Sequence, residues 1–142
     1  MPIDRPLRER SNWVISDPVL NLSSSRLDMD DEEFLSVLVL KAVSAMVSRD
    51  RAELQKGYYR IRGNIEYYFN EMNLYPGEFV PPATHADCPF HINRLNDGTG
   101  WAIDAPLKLT SGEISDLEIR MTIYHIPTTI GFLIAYHDIL VP

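Results

Sequence analysis

Three residues of the types that bind metals recur at intervals of three in one stretch of the chain. His85, Cys88 and His91 form a His-x-x-Cys-x-x-His pattern with Asp87 inside it. Imidazole and thiolate groups are ligands that zinc prefers. However, the spacing matches no ordinary zinc module, a fourth ligand would have to come from elsewhere, and Pro89 stiffens the middle of the pattern. We interpret these residues as ordinary loop residues and expect no metal and no cofactor.

A second set of residues has the types needed for acid–base catalysis. His125 and His137 lie in the last third of the chain, near three aspartates: Asp104, Asp116 and Asp138. A His–Asp pair inside a cavity can act as general acid and base. The alternation of apolar and polar residues instead places Asp104 and Asp116 on a water-facing side and His125 on the packed side. We therefore favour a buried structural histidine over a catalytic dyad.

The short motifs that mark common enzyme classes do not occur in this sequence. It has no Ser-centred nucleophile elbow, no phosphate-binding glycine loop and no paired histidines on a helix. No signature places a base beside Cys88. We expect a protein that is not an enzyme.

Residues 90–142 show the alternation that is typical of antiparallel strands. In 101–109 and 115–125 every second residue is apolar, which predicts one buried face and one face in water. An Asp-Gly turn before the first of these segments favours a hairpin. Segment 131–141 is apolar on both sides, which indicates either burial on both faces or one face left for a partner. We predict a four-stranded antiparallel meander.

The helical part of the chain is predicted for residues 26–75. A first helix is expected from an N-cap at Asp30 to about residue 48, with apolar residues nearly all round it. A second, short helix is expected for 50–57 and a third for 59–73, although Gly63 weakens the start of the third. The first helix is therefore expected to be buried on more than one side.

Two segments lack a helical or strand period. Residues 1–25 mix prolines and arginines with large apolar residues, which favours an extended arm, and the proline-rich residues 76–89 favour a long surface loop. We predict a single α+β domain over residues 1–142. The order of helices followed by strands is similar to that of cystatin-like and nuclear-transport-factor-like folds, in which a helix lies in the concavity of a curved sheet.

The net charge of −7 is unevenly distributed along the chain. Residues 1–62 contain ten basic and ten acidic side chains, whereas residues 63–142 contain ten acidic side chains and only Arg94, Lys108 and Arg120 as cations. A negative surface repels phosphate backbones, so we expect no nucleic-acid partner, and it attracts basic proteins. A surface that only keeps the protein in solution explains the same charge.

Membrane and secretory signals are not evident. No apolar run reaches the ~20 residues that a membrane-spanning helix requires. The charged segment Met1–Arg10 lacks the apolar core of a secretory signal, and the single cysteine fits a reducing compartment. We expect a cytoplasmic protein with no membrane partner.

Several short segments carry a resemblance to known proteins. They are Leu35–Arg51, Trp101 at the start of a strand, Pro106-Leu107 within it, Ser115-Asp116-Leu117 at the start of the next strand, and the closing strand. In these features the chain resembles a group of small, uncharacterised bacterial proteins. In size and acidity that group is similar to the immunity proteins encoded beside bacterial toxins, including those of contact-dependent growth inhibition systems. The resemblance implies no catalytic residues.

The leading hypothesis from these observations is an immunity protein that blocks a cognate toxin, such as a basic nuclease, through an acidic surface. The expected contacts are Glu78, Asp87, Asp97, Asp104, Glu113, Asp116, Glu118, Tyr67 and Tyr75. A small-molecule-binding domain or enzyme is the alternative, with His125, His137 and Asp138 near the mouth of a cavity. A homodimer that uses segment 131–141 as its interface is a third hypothesis.

Overall fold

The computed structural model describes residues 20–21, 31–126 and 131–142. Two predictions lie outside the described residues: most of the extended arm and the helix cap at Asp30. The described elements include three α-helices: α1 (Asp31–Val47), α2 (Arg51–Leu54) and α3 (Ile65–Leu74). They also include seven strands: β1 (Leu20–Asn21), β2 (Tyr59–Ile61), β3 (Phe79–Val80), β4 (His91–Arg94), β5 (Gly100–Leu109), β6 (Ile114–Ile126) and β7 (Gly131–Leu140).

The strands form one curled, mixed sheet against which the helices pack. The strand order is β1-β7-β6-β5-β3, with β2 also paired to β7 and β4 also paired to β5. Strands β4 to β7 form the predicted four-stranded antiparallel meander. The α+β fold class with a curved sheet is thus confirmed. The structure adds three short strands to it, and one of them, β2, runs parallel to β7.

Helix α1 matches its predicted extent and its predicted burial. Nine of its residues are buried, and they lie around most of its circumference: Phe34, Leu35, Leu38, Val39, Ala42, Val43, Ala45, Met46 and Val47. The helix packs against strands β3 and β5 and against both other helices. An apolar surface of this width requires cover on several sides, because an apolar side chain left in water does not contribute the favourable free energy of burial.

The predicted third helix is wrong at its start. Tyr59–Ile61 is strand β2, which pairs with residues 134–136 of β7, and the helix begins only at Ile65. Gly63 has a φ of +80°, a left-handed conformation that ends the strand and that few other residues adopt. Asn64 then caps α3, since its side chain accepts a hydrogen bond from the Glu66 backbone N–H at 2.8 Å.

The predicted proline-rich loop contains two short regular elements. Strand β3 pairs with the end of β5, and a 3₁₀ turn covers His85–Asp87. The second predicted helix is confirmed in a shorter form, because Asp50 accepts a hydrogen bond from the Glu53 backbone N–H at 3.1 Å and α2 ends at Leu54.

Tyrosine side chains connect the inner face of the sheet to the helices. Tyr136 on β7 is fully buried, and its hydroxyl donates a hydrogen bond to the Ala42 carbonyl oxygen in α1 at 2.7 Å. The rings of Tyr59 and Tyr68 lie 5.7 Å and 6.2 Å from the Tyr136 ring. Burial raises the pKa of Tyr136 well above its ordinary value, so this hydroxyl stays a hydrogen-bond donor.

Strand β7 is buried on both faces within one chain, which was one of the two explanations left open by its sequence. Phe132, Ile134 and Tyr136 belong to the main core. On the opposite side, Leu133 and Ala135 pack with Leu95, Ala102 and Tyr124 in a second cluster. The apolar residues 132–136 are therefore covered without a partner, and self-association through this strand stays a prediction.

Candidate functional site

Four of the seven predicted partner-binding carboxylates lie around one end of the sheet, near the β5–β6 turn. The backbone oxygen of Glu78 accepts from Thr110 at 2.8 Å, and that of Glu113 accepts from Leu109 at 2.8 Å, which places both residues beside this turn. Asp116 and Glu118 follow at the start of β6. Glu78, Glu113 and Asp116 are exposed, and Glu118 is half-buried.

The other three predicted carboxylates already have partners within the chain. Asp87 forms an ion pair of 2.7 Å with Lys108, and this ammonium, together with backbone N–H groups, lowers the pKa of Asp87. Asp97 accepts hydrogen bonds from the backbone N–H and the hydroxyl of Thr99, at 3.0 Å and 2.7 Å, inside the β4–β5 turn.

Asp104, the third of these carboxylates, lies in the middle of β5. Its side chain is 3.4 Å from the Arg120 guanidinium on the neighbouring strand. These contacts give Asp87, Asp97 and Asp104 roles within the fold. A charged residue's type and position in the sequence do not reveal such intramolecular partners.

The acidic end of the sheet contains an open groove of about 560 Å³ between α3 and the ends of β6 and β7. We call it the tyrosine groove; its lining residues are Tyr67, Glu71, Leu74, Tyr75, Pro76, Asp116, Leu117, Ile139, Leu140 and Val141. Three of its apolar side chains are unusually exposed: Leu74 by 78%, Val141 by 51% and Tyr67 by 42%. Clustered apolar exposure of this kind marks interaction sites more often than isolated exposed residues do.

Both predicted tyrosines lie in the tyrosine groove, where carboxylates fix their orientation. The Tyr67 hydroxyl donates to Asp138 Oδ1 at 2.9 Å, and the Tyr75 hydroxyl donates to Asp116 Oδ1 at 2.6 Å. The Tyr75 ring also packs against Phe79, with ring centroids 5.3 Å apart. In each case the hydrogen bond to the carboxylate raises the pKa of the tyrosine. Side chains held in this way lose little conformational entropy when a partner binds.

The groove has an apolar floor and an acidic rim. Glu71 and Asp116 line it, and Asp138 adjoins it through Tyr67. No lysine or arginine is found among the described residues that line it. The groove therefore suits a partner that combines cationic and apolar side chains.

Glu71, Leu74 and Val141 are groove residues that the sequence analysis did not select. Leu74 carries a detectable signal, because it lies outside the apolar stripe of α3 that Tyr68, Phe69 and Met72 form, all three of which are buried. An apolar residue outside the buried stripe of a short helix is a candidate contact residue. The position of Val141 beside α3 depends on the sheet topology and has no such local signal.

The residues of the predicted acid–base set do not come together. His125 is exposed near the β4–β5 turn, where its backbone N–H binds the Thr99 carbonyl oxygen at 2.9 Å, so the prediction of a buried histidine is wrong. The alternation places His125 on the packed side, but β6 reaches the end of the covered sheet at this residue. His137 Nε2 lies 2.7 Å from Thr122 Oγ1, and Asp138 binds Tyr67. These side chains lie at different places on the sheet.

The residues of the His-x-x-Cys-x-x-His pattern also lack a common centre. Among the described residues, no group of three His, Cys, Asp or Glu side chains could hold a metal ion. Cys88 is buried, and burial followed by the nearby Asp87 charge raises the pKa of its thiol to about 12. The His85 ring packs edge-on against Phe90, with centroids 4.6 Å apart.

The described side chains that line the tyrosine groove offer apolar contact surface, two tyrosine rings and negative charge. No protein-family model matches the chain, and neither the curated proteins nor the solved structures contain a significant match to it. Of the helices that the structure describes, none is long and apolar enough to cross a membrane.

Proposed function

We propose that this chain is a cytoplasmic immunity protein that binds a cognate bacterial toxin through the tyrosine groove and thereby blocks the toxin's active site. The observation that carries the proposal is the combination of exposed apolar side chains with a carboxylate rim in one groove. In short segments the chain resembles a group of small bacterial proteins that are similar to immunity proteins in size and acidity, and this resemblance supports the same function.

The charge of the chain favours a cationic partner. Residues 63–142, which include the whole groove, contain ten acidic and three basic side chains. A nuclease must attract phosphate, so its substrate cleft is basic and offers a complementary surface. Opposite charge accelerates the encounter of the two proteins, and buried aromatic side chains such as Tyr67 then supply much of the affinity.

The groove is preorganised for such a contact. The hydrogen bonds of Tyr67 to Asp138 and of Tyr75 to Asp116 hold both rings in place before a partner arrives. Leu74 presents its side chain to solvent beside them. A basic segment with one or two large apolar residues would cover these side chains and pair with the rim carboxylates.

The proposal is tested by producing the chain together with the toxin encoded beside its gene. We expect co-purification of the two proteins and protection of cells that carry the toxin. The variant Leu74→Arg should lose both, because it places a cation and a bulky side chain in the groove. Val37→Arg is the matched control, since Val37 is an exposed apolar residue on α1, outside the groove, with an exposure of 40%.

Two results would contradict the proposal. One is the absence of any complex between the wild-type chain and the neighbouring toxin in size-exclusion chromatography. The other is equal protection by Leu74→Arg and by the wild-type chain, which would show that the groove is not the binding surface.

A further inference from the structure

One arginine in the acidic part of the chain is not neutralised. Of the three cations in residues 63–142, Lys108 pairs with Asp87 and Arg120 pairs with Asp104. Arg94 has no carboxylate within ion-pair distance among the described residues. Its guanidinium instead lies over the Trp101 ring, 5.6 Å from the ring centroid.

Arg94 lines an open cleft of about 480 Å³ that is separate from the tyrosine groove. We call it the Arg94 cleft and define it by Ser36, His85, Phe90, His91, Arg94 and Trp101; Leu35 and Ile92 complete its lining. Helix α1 supplies one wall, strands β4 and β5 supply the second, and the segment around the 3₁₀ turn closes one side. This volume lies within the range of small-molecule sites, about 300–1,000 Å³.

The composition of the Arg94 cleft is the opposite of that of the rest of this region. None of the described residues that line it is an aspartate or a glutamate, although residues 63–142 contain ten of them. A guanidinium, two imidazoles and a hydroxyl supply its polar groups. Trp101 is half-buried and supplies the accessible aromatic surface, whereas Phe90 is buried in the main core. The His85 ring packs edge-on against Phe90, and the Arg94 guanidinium lies over the Trp101 ring.

From this arrangement we infer that the Arg94 cleft binds a small anionic ligand with a planar ring, whose carboxylate or phosphate group pairs with Arg94 while its ring packs on the accessible part of Trp101. A guanidinium presents a planar fork of donors that matches a carboxylate or a phosphate. The site requires no catalytic residue and does not depend on the toxin-binding proposal.

The inference is tested on the full chain by nuclear magnetic resonance titration. Benzoate and phenyl phosphate are the planar anions, acetate and inorganic phosphate are anions without a ring, and benzamide is a neutral ring. We expect benzoate or phenyl phosphate to saturate with a Kd of about 1 mM or lower and to move the Trp101 indole and the Arg94 backbone signals. The other three probes should bind at least about tenfold more weakly.

Three variants separate recognition from folding. Arg94→Gln should weaken the binding of the planar anions by about tenfold or more, and Arg94→Lys should weaken it less, because the charge stays and the planar fork is lost. Arg120→Gln is the matched control, since it removes an arginine of the same sheet outside the cleft and should leave the affinity unchanged. Circular dichroism checks that each variant is folded.

The outcomes are distinct. Tighter binding of either planar anion supports the inference and identifies the head group as carboxylate or phosphate. The inference would be overturned if neither planar anion saturates the chain at a concentration tenfold above the expected Kd of about 1 mM. Equal binding of benzamide and benzoate, equal binding of the ringless anions, or an unchanged affinity of Arg94→Gln would also overturn it.

Discussion

The tyrosine groove and the Arg94 cleft occupy different parts of one sheet and have opposite character. Strand β6 begins at the groove, and strand β5 begins at the cleft with Gly100 and Trp101. The groove is shallow, has carboxylates at its rim and exposes Leu74 almost fully. Among the described residues, the cleft has no carboxylate in its lining, and it contains the one cation of residues 63–142 that no described carboxylate neutralises.

The difference teaches that the net charge of a region does not give the charge of each surface in it. The same seven excess negative charges of residues 63–142 surround both sites. Intramolecular ion pairs decide where charge remains available. Lys108 pairs with Asp87 and Arg120 pairs with Asp104, whereas no described carboxylate pairs with Arg94. Two sites with opposite preferences can therefore share one acidic sheet.

The largest expected effect falls on the strand that begins at the Arg94 cleft. Gly100 lies so close to β6 that an added Cβ would overlap the carbonyl oxygen of Ile123. We expect Gly100→Ala to destabilise the protein by about 3 kcal/mol, because a backbone atom cannot move aside cheaply. Thermal unfolding measures this loss. Gly112→Ala does not serve as a control, because Gly112 has a positive φ and alanine would be strained there as well.

The position of Gly100 sharpens the comparison between the two sites. In the folded fraction of Gly100→Ala, planar anions should bind more weakly, since Trp101 is displaced, while signals from Leu74 and Tyr75 should keep their wild-type positions. A change confined to the tyrosine groove would contradict the assignment of Trp101 to the ligand site.

The next effect concerns the ion-pair network around Glu53, which supports the fold that carries both sites. Glu53 binds Lys56 and Lys41 at 2.8 Å and 3.2 Å and accepts from the Tyr58 hydroxyl at 2.5 Å. Burial opposes the charged form, but these hydrogen bonds outweigh it and lower the pKa of Glu53 to about 2 from 4.5. A lowered pKa stabilises the fold above pH 4.5, and this contribution is lost as the pH falls toward 2.

We expect Glu53→Gln to reduce the free energy of unfolding at pH 7 by about 2 kcal/mol, less than the pKa shift implies, since solvent screens these ion pairs. The difference between the variant and the wild-type chain should shrink as the pH falls from 5 to 2. Denaturant unfolding at several pH values measures it. Neither site contains Glu53, so we expect Glu53→Gln to affect both sites equally, through the stability of the fold. A variant that lost binding at one site and kept it at the other would contradict this expectation.

Salt should separate the two sites by kinetics. Association at the tyrosine groove is steered by many carboxylates, so we expect the rate constant for toxin binding to fall by about tenfold between 0.05 M and 0.5 M salt. In the Arg94 cleft, Arg94 attracts the planar anions and the acidic surroundings repel them. Salt screens both interactions, so the affinity of the planar anions should change less. Stopped-flow fluorescence measures the first quantity. An association rate that salt leaves unchanged would contradict electrostatic steering.

The smallest effect is expected from a single hydroxyl in the groove. Tyr67→Phe removes the hydrogen bond to Asp138 and keeps the ring, so the affinity for the toxin should fall by two- to fivefold. Planar-anion binding should not change. Surface plasmon resonance measures the first affinity, and a larger loss than that of Leu74→Arg would show that Asp138, rather than the apolar floor, dominates the contact.

Local sequence patterns predicted the elements that depend on neighbours in the chain. The period of α1 and the alternation in β5 and β6 are local, and both were confirmed. Strand β2 was missed because its partner in β7 lies about 75 residues away and its Tyr-Arg-Ile sequence also fits a helix start. Parallel pairing over such a separation leaves no local signature.

The candidate site was predictable in part for the same reason. Tyr67, Tyr75 and Asp116 were selected by residue type, and the fold brings them into one groove. Asp97 was selected by charge alone, but its carboxylate caps its own turn. The contribution of Val141 requires the end of β7 to lie beside α3, which follows only from the three-dimensional topology.

The most direct test is a calorimetric titration of the cognate toxin with three forms of the chain: wild-type, Leu74→Arg and Val37→Arg. If the tyrosine groove binds the toxin, the wild-type chain and Val37→Arg will bind it with equal affinity, and Leu74→Arg will bind about a hundredfold more weakly. Equal affinity of all three forms would contradict the groove as the binding surface.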